Sequence, residues 1–145
     1  MDNLLICDTC VIIDYVNEHS SLLFELKDRR FVLFINSVIE MELLQGAHDK
    51  KELKKIGQKL NMFRRLEITQ DILDIATKLI RKYSLSHNLQ LPDSVIAATA
   101  SVYNVPLLTY NTKNFKYIPH IQVLKPSEVV KRISLKHNGG TCLNP

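Results

Sequence analysis

The chain has 145 residues, the length of one ordinary domain, and 46% of them are hydrophobic, enough for a real core. Charged residues make up 23% and only four residues are Gly, which excludes wholesale disorder. No apolar run approaches the roughly 20 residues needed to cross a bilayer, and no basic-then-apolar leader opens the chain, so the expectation is a cytoplasmic protein with no membrane partner.

Leu4-Leu5-Ile6-Cys7 is a short apolar run that reads as a buried strand. It ends abruptly in Asp8-Thr9, and a helical pattern with Val11, Ile12, Ile13 and Val16 begins at once. Asp8 therefore stands at the carboxyl end of a first strand, the edge where open α/β sheets bind ligands. Asp8 or Thr9 can also simply cap the following helix. As the residue that ends a strand, Asp8 is expected to lie outside the core. Cys7 and Cys10 have redox-pair spacing, but the acid between them raises thiol pKa values, and two small hydrophobes are the simpler reading.

Ser20 and Ser21 open a second helix carrying Leu22, Leu23 and Leu26. Phe31 to Ile35 is a continuous apolar run, as in a central strand covered on both faces, and Asn36-Ser37 is helix-start chemistry. The next helix holds Glu40 and Glu42 and stops at Gly46. Residues two apart lie on roughly opposite faces of a helix, so both acids cannot reach one site. Glu42 lies beside the stripe of Ile39, Leu43 and Gly46 and is drawn inward, while Glu40 is expected to face solvent.

Asp49 to Arg65 reads as an amphipathic helix with Leu53, Ile56, Leu60 and Phe63 inside. From His48 to Arg65 seven basic residues, among them Lys50, Lys51, Lys54 and Lys55, face two acids, a local excess of five positive charges. Such a run suits a nucleic-acid backbone, and it equally suits a solvated helix face. Leu66 to Ile68 is a short strand or connector, Thr69 caps a long helix, and Ser84 to Gln90 reads as a polar loop. Leu91-Pro92-Asp93-Ser94 opens a helix of small residues, with Asp93 as a capping acid at its positive end. Val105 to Leu108 and Ile121 to Leu124 are further strands, and polar Thr109 and Asn111 directly follow the first of these. A last helix spans Pro126 to Ile133. The expected domain covers residues 1–135, with 136–145 a frayed tail.

Alternating strands and helices predict an α/β fold, a three-layer α/β/α arrangement around a mostly parallel sheet of four to five strands. In that frame Asp8, Glu42, Asp93 and Asn111 can converge. Three carboxylates and an amide oxygen suit Mg²⁺ or Mn²⁺ rather than zinc, and such an ion can promote phosphodiester hydrolysis.

These residues carry a resemblance. Asp8-Thr9, Glu42-Leu43-x-x-Gly46, Asp93-x-x-Ile96-Ala97-Ala98-Thr99-Ala100 and Thr109-x-Asn111-x-x-Asn114-Phe115 look like the motifs of PIN-domain ribonucleases, most of all the VapC-type toxins of toxin–antitoxin pairs. The resemblance runs from Leu4 to about Leu124. It implies that Asp8, Glu42 and Asp93 are metal-binding catalytic acids, with Asn111 in the fourth site position and Thr9 and Thr109 as supporting hydroxyls. The fourth position is often Asp in the wider family, so Asn111 points to a weaker or absent second metal. The resemblance also implies a homodimer, a cognate antitoxin and hydrolysis of RNA.

Rival readings are a response-regulator receiver, a non-catalytic module that binds RNA or an antitoxin, and the redox pair. The receiver needs a phosphorylatable Asp where Asn36 stands and a Lys directly after Leu108, where Thr109 stands. Intact Asp8, Glu42 and Asp93 count against the non-catalytic module.

Overall fold

The computed structural model describes residues 3–141, and side-chain surroundings through residue 134. Five parallel strands form one sheet in the order β3-β2-β1-β4-β5. The strands are β1 (Leu4–Cys7), β2 (Val32–Ile35), β3 (Arg64–Arg65), β4 (Leu107–Leu108) and β5 (Val123–Leu124). Among the described residues seven helices flank them: α1 (Thr9–Val16), α2 (Leu22–Asp28), α3 (Ser37–Gln45), α4 (Lys50–Lys59), α5 (Gln70–His87), α6 (Leu91–Tyr103) and α7 (Pro126–Thr141).

Consecutive strand residues point to opposite faces. Leu107 and Leu108 are both 0% exposed, as are Ile6 and Cys7, so the central strands are covered on both sides. This is why their sequences read as unbroken apolar runs rather than alternating ones. The chain builds outward from β1 through β2 to β3, then crosses to β4 and β5 on the other side. The sheet therefore reverses its order beside β1, and a crevice opens outside the carboxyl ends of strands at such a switch point. Asp8 follows β1 there and Thr109 follows β4, with Asp8 N–H donating to Leu108 O at 3.0 Å.

Asn36 ties this edge to α6. Its side chain is fully buried; Oδ1 accepts from Ile39 N (2.9 Å), capping α3, and Nδ2 donates to Thr99 Oγ1 (3.0 Å). Thr99 in turn donates to Val95 O at 2.7 Å. Asn36→Ala removes a cap and a buried partner together, an expected loss of about 2–3 kcal/mol. Thermal melting should show a midpoint lower by roughly 5–10 °C; an unchanged midpoint would mean that the cap and the Thr99 bond contribute nothing.

Several elements differ from the sequence expectations. The helix expected over Asp49 to Arg65 ends at Lys59 and passes through a 3₁₀ turn at Leu60–Met62 into β3. Ile56, Leu60 and Phe63 are buried as expected, whereas Leu53 is exposed. The two arginines of β3 are exposed and carry no strand signature; β2 supplies the ladder that makes them a strand. The polar stretch Ser84 to His87 is not loop but the last turn of α5, because no breaker precedes Asn88, which ends the helix in the left-handed conformation (φ 54°). Asp93 is not the cap of α6. Gln90 holds that position, and Asp93 sits within the first turn, free to face outward. The last helix passes Ile133 and continues to Thr141, since nothing between Ser134 and Asn138 breaks a helix. Of the expected frayed tail, residues 142–145 lie outside the described residues. Among the described residues no helix is long and apolar enough to cross a membrane.

Candidate active site

Asp8 is 6% exposed, an unusual place for a carboxylate. Its burial is offset by donors: Oδ1 accepts from Thr9 N (2.8 Å), and Oδ2 accepts from Thr109 Oγ1 (2.8 Å) and the Cys10 thiol (3.6 Å). Asp8 thus caps α1 and faces the site at once. The expectation that it lies outside the core is corrected, because the strand end it occupies is roofed by the Thr109 segment. Thr109 is itself fully buried, and its hydroxyl also accepts from Asn111 N at 3.0 Å.

Thr9 links the first acid to the second. Its backbone N–H serves Asp8, and its hydroxyl donates to Glu42 Oε1 at 3.1 Å. Burial pushes the Glu42 carboxyl up, the Thr9 hydroxyl opposes this, and the charge on Asp8 adds to the rise. Glu42 also lines a groove of about 210 Å³ between α1, α3 and α4, with Ile13, Val16 and Ile56 among its walls. Glu40 points elsewhere and pairs with Arg65 of β3. It is half-buried rather than solvent-facing, since the edge strand brings a guanidinium over it; the Arg65 hydrogen bond lowers its pKa.

Asp93 completes the acid set. Its carboxyl is pushed up to about 6, first by burial and then by the negative charges of Asp8 and Glu42. Asp93 therefore lies within electrostatic reach of both Asp8 and Glu42. Asn111 follows Thr109 as expected, but its side chain is exposed and makes no hydrogen bond to the acids among the described residues.

The donor set fits a hard cation. The carboxylates of Asp8, Glu42 and Asp93 are oxygen ligands, and a cation would offset the burial and the neighbouring negative charges that raise Asp93. Among the described residues no three His, Cys, Asp or Glu side chains already stand close enough to hold one ion directly. The redox reading fails on chemistry: burial and the charge of Asp8 hold the Cys7 thiol protonated, and burial raises Cys10 as well.

Lys50, Lys51, Lys54 and Lys55 are exposed on α4, and none is ion-paired among the described residues. That arrangement serves a phosphate backbone and a solvated face alike. A feature that sequence reading missed is a cluster of Tyr83, His87 and Tyr117 rings, assembled from segments some 30 residues apart.

The pattern of the PIN domain matches residues 5–121, nearly all of the described sheet and its connections. The chain belongs to the PIN domain family. A ribonuclease VapC of Rickettsia bellii is 34% identical over 128 residues, covering 83% of this chain and 94% of that protein. A toxin–antitoxin complex from Klebsiella pneumoniae contains a chain that superposes with a TM-score of 0.67 at 28% identity, covering 84% of this chain and 97% of that one. VapBC2 of Rickettsia felis, solved bound to a DNA fragment from their promoter, shares the fold at 21% identity, with a TM-score of 0.72 over 84% of this chain and 98% of that one. The PIN domain here thus has the expected fold, with a parallel sheet of five strands.

Proposed function

We propose that this PIN-domain protein is a metal-dependent endoribonuclease toxin, held inactive by a cognate antitoxin. The observation that carries the reading is the linkage of Asp8 to Glu42 through Thr9 at the switch point of the sheet, in a chain 34% identical to a ribonuclease VapC. Asp8 is the fixed ligand, held by Thr9 and Thr109; Glu42 is steadied by the Thr9 hydroxyl. Asp93 would supply a further carboxylate to the cation, which would offset the cost of holding that charge half-buried. When bound, Mg²⁺ or Mn²⁺ supplies a Lewis acid that neutralises phosphodiester charge and makes water a better nucleophile at neutral pH. Asn111 stands beside Thr109 and orients the scissile phosphate or the water through its amide. Hydrolysis joins the water oxygen to phosphorus, breaks one P–O bond and leaves a phosphate end and a hydroxyl end.

The exposed lysines of α4 hold the RNA backbone in this reading. The protein acts in the cytoplasm, where its RNA is, and pairs with a second copy of itself. Exposed Leu85, Leu91, Val102 and Tyr103 on α5 and α6 offer apolar surface for such an association.

Purified protein, freed of antitoxin, should cleave single-stranded RNA with Mg²⁺ or Mn²⁺ and lose that activity in EDTA. Cleavage that persists unchanged in EDTA would sink the metal mechanism. Replacing Lys50, Lys51, Lys54 and Lys55 together should weaken RNA binding and flatten its salt dependence, by up to about 0.7 in slope for each phosphate no longer neutralised. An unaltered slope would return those lysines to the role of a solvated face.

A further inference from the structure

The ring cluster is built from the two segments that adjoin Asp93 and Asn111 in the chain. Tyr83 and His87 are one turn apart near the end of α5, and only Asn88 to Gln90 separate that helix from the turn bearing Asp93. Tyr117 comes from the segment that follows Asn111 and the 3₁₀ turn Thr112–Asn114. The His87 ring lies flat on Tyr117, with centroids 4.0 Å apart and planes 18° from parallel. Tyr83 supports both edge-on, at 5.0 Å from Tyr117 and 5.5 Å from His87. Tyr83 and Tyr117 pack against the core, whereas His87 is exposed.

Aromatic pairs meet either offset-stacked or edge-to-face. Here the outer pair is stacked, and His87 is its exposed ring. The Ser86 hydroxyl lies 2.8 Å from His87 Nδ1 and steadies the ring. Lys82 Nζ lies 5.3 Å from the centre of the Tyr83 ring, and Arg81, Lys113 and Lys116 are exposed on the same two segments. Planar rings with cations on their own segments, which adjoin residues of a candidate phosphodiester-cleaving centre in the chain, have the chemistry that receives an unpaired base and its flanking phosphates.

We propose that the His87–Tyr117 stack, backed by Tyr83, is a platform on which a nucleobase of single-stranded RNA rests, next to the scissile phosphate. The inference rests on the ribonuclease reading and adds to it where the substrate is gripped. Stacking tolerates every base, so the platform recognises an unpaired, exposed nucleotide rather than a sequence.

The test is binding of a short, fluorescein-labelled, mixed-sequence single-stranded RNA, followed by anisotropy in EDTA so that no turnover intervenes. Antitoxin-free wild type is compared with His87→Ala, Tyr117→Ala and Tyr117→Phe, each checked for folding by circular dichroism. His87→Ala and Tyr117→Ala should each weaken binding about tenfold, while Tyr117→Phe binds like wild type. The salt slope should not change, because the same phosphates stay neutralised. His87→Ala alters only an exposed ring, so it decides the matter even if Tyr117→Ala fails to fold. Wild-type affinity in folded His87→Ala overturns the platform, and so does a weakening that comes with a flatter salt slope. Weaker antitoxin binding with RNA affinity intact overturns it too, by assigning the stack to a protein partner. These results leave the ribonuclease reading standing if wild type cleaves RNA with metal; wild type that neither binds nor cleaves RNA removes both.

Discussion

Asp8→Asn is expected to lower metal-dependent RNA cleavage by about 10³-fold or more while the protein stays folded, the scale seen when a preorganised group at a reacting centre is removed. The amide keeps the shape of the side chain. Its oxygen still accepts from Thr9 N, and its –NH₂ can donate to the Thr109 hydroxyl in place of the bond that Thr109 now donates. Asp8→Ala is a poorer test. It strips acceptors from a backbone N–H and a fully buried hydroxyl, a cost of about 1–3 kcal/mol that mixes folding with catalysis. Single-turnover cleavage, read beside a thermal melt, separates the two effects. A folded Asp8→Asn protein that cleaves as fast as wild type would place the activity elsewhere.

Asp93→Asn should stabilise the metal-free protein. An ordinary Asp titrates at 3.8, and in the fold this one is pushed up to about 6. Between those values the folded protein holds a proton that the unfolded chain has released. Stability from this group therefore falls as pH rises from about 4 through 6, and the full penalty is present at pH 7. The carboxylate is partly solvated, so screening reduces the penalty to about 1–2 kcal/mol. The variant should melt roughly 3–6 °C above wild type at pH 7 and show no advantage below pH 4. Saturating Mg²⁺ or Mn²⁺ should close the gap by raising wild type alone, since a ligand stabilises only the state that binds it. Melting curves at pH 4 and pH 7, with EDTA and with metal, check each part. A variant less stable than wild type at pH 7 would mean that Asp93 is favourably paired, not repelled.

The positions of Asp8, Thr9 and Glu42 in the candidate site are legible in the sequence because they are encoded locally. An apolar run that stops at an acid before a helix can be found on paper, and Asp8 and Thr9 are placed by that junction alone. Glu42 was distinguishable from Glu40 by helix geometry, although the partner of Glu40, Arg65, lies 25 residues on and gives no local sign. The capping role expected of Asp93 failed by one turn. Pro92 marks the helix start only to within a residue or two, and Gln90 begins the helix with no side-chain hydrogen bond to announce it. β3 was hidden because two arginines become a strand only when β2 offers its edge. The Tyr83–His87–Tyr117 cluster is wholly tertiary: nothing in either segment indicates the other.

The central claim is that Asp8, Glu42 and Asp93 share one divalent cation. Anomalous scattering from crystals of the antitoxin-free protein soaked in millimolar Mn²⁺ tests this most directly. The account predicts a single strong peak in direct contact with carboxylate oxygens of Asp8 and Asp93, with Glu42 bound directly or through a water, and no such peak in Asp93→Asn. A cleavage-competent crystal with no Mn²⁺ at these residues, or with Mn²⁺ held elsewhere, would contradict it.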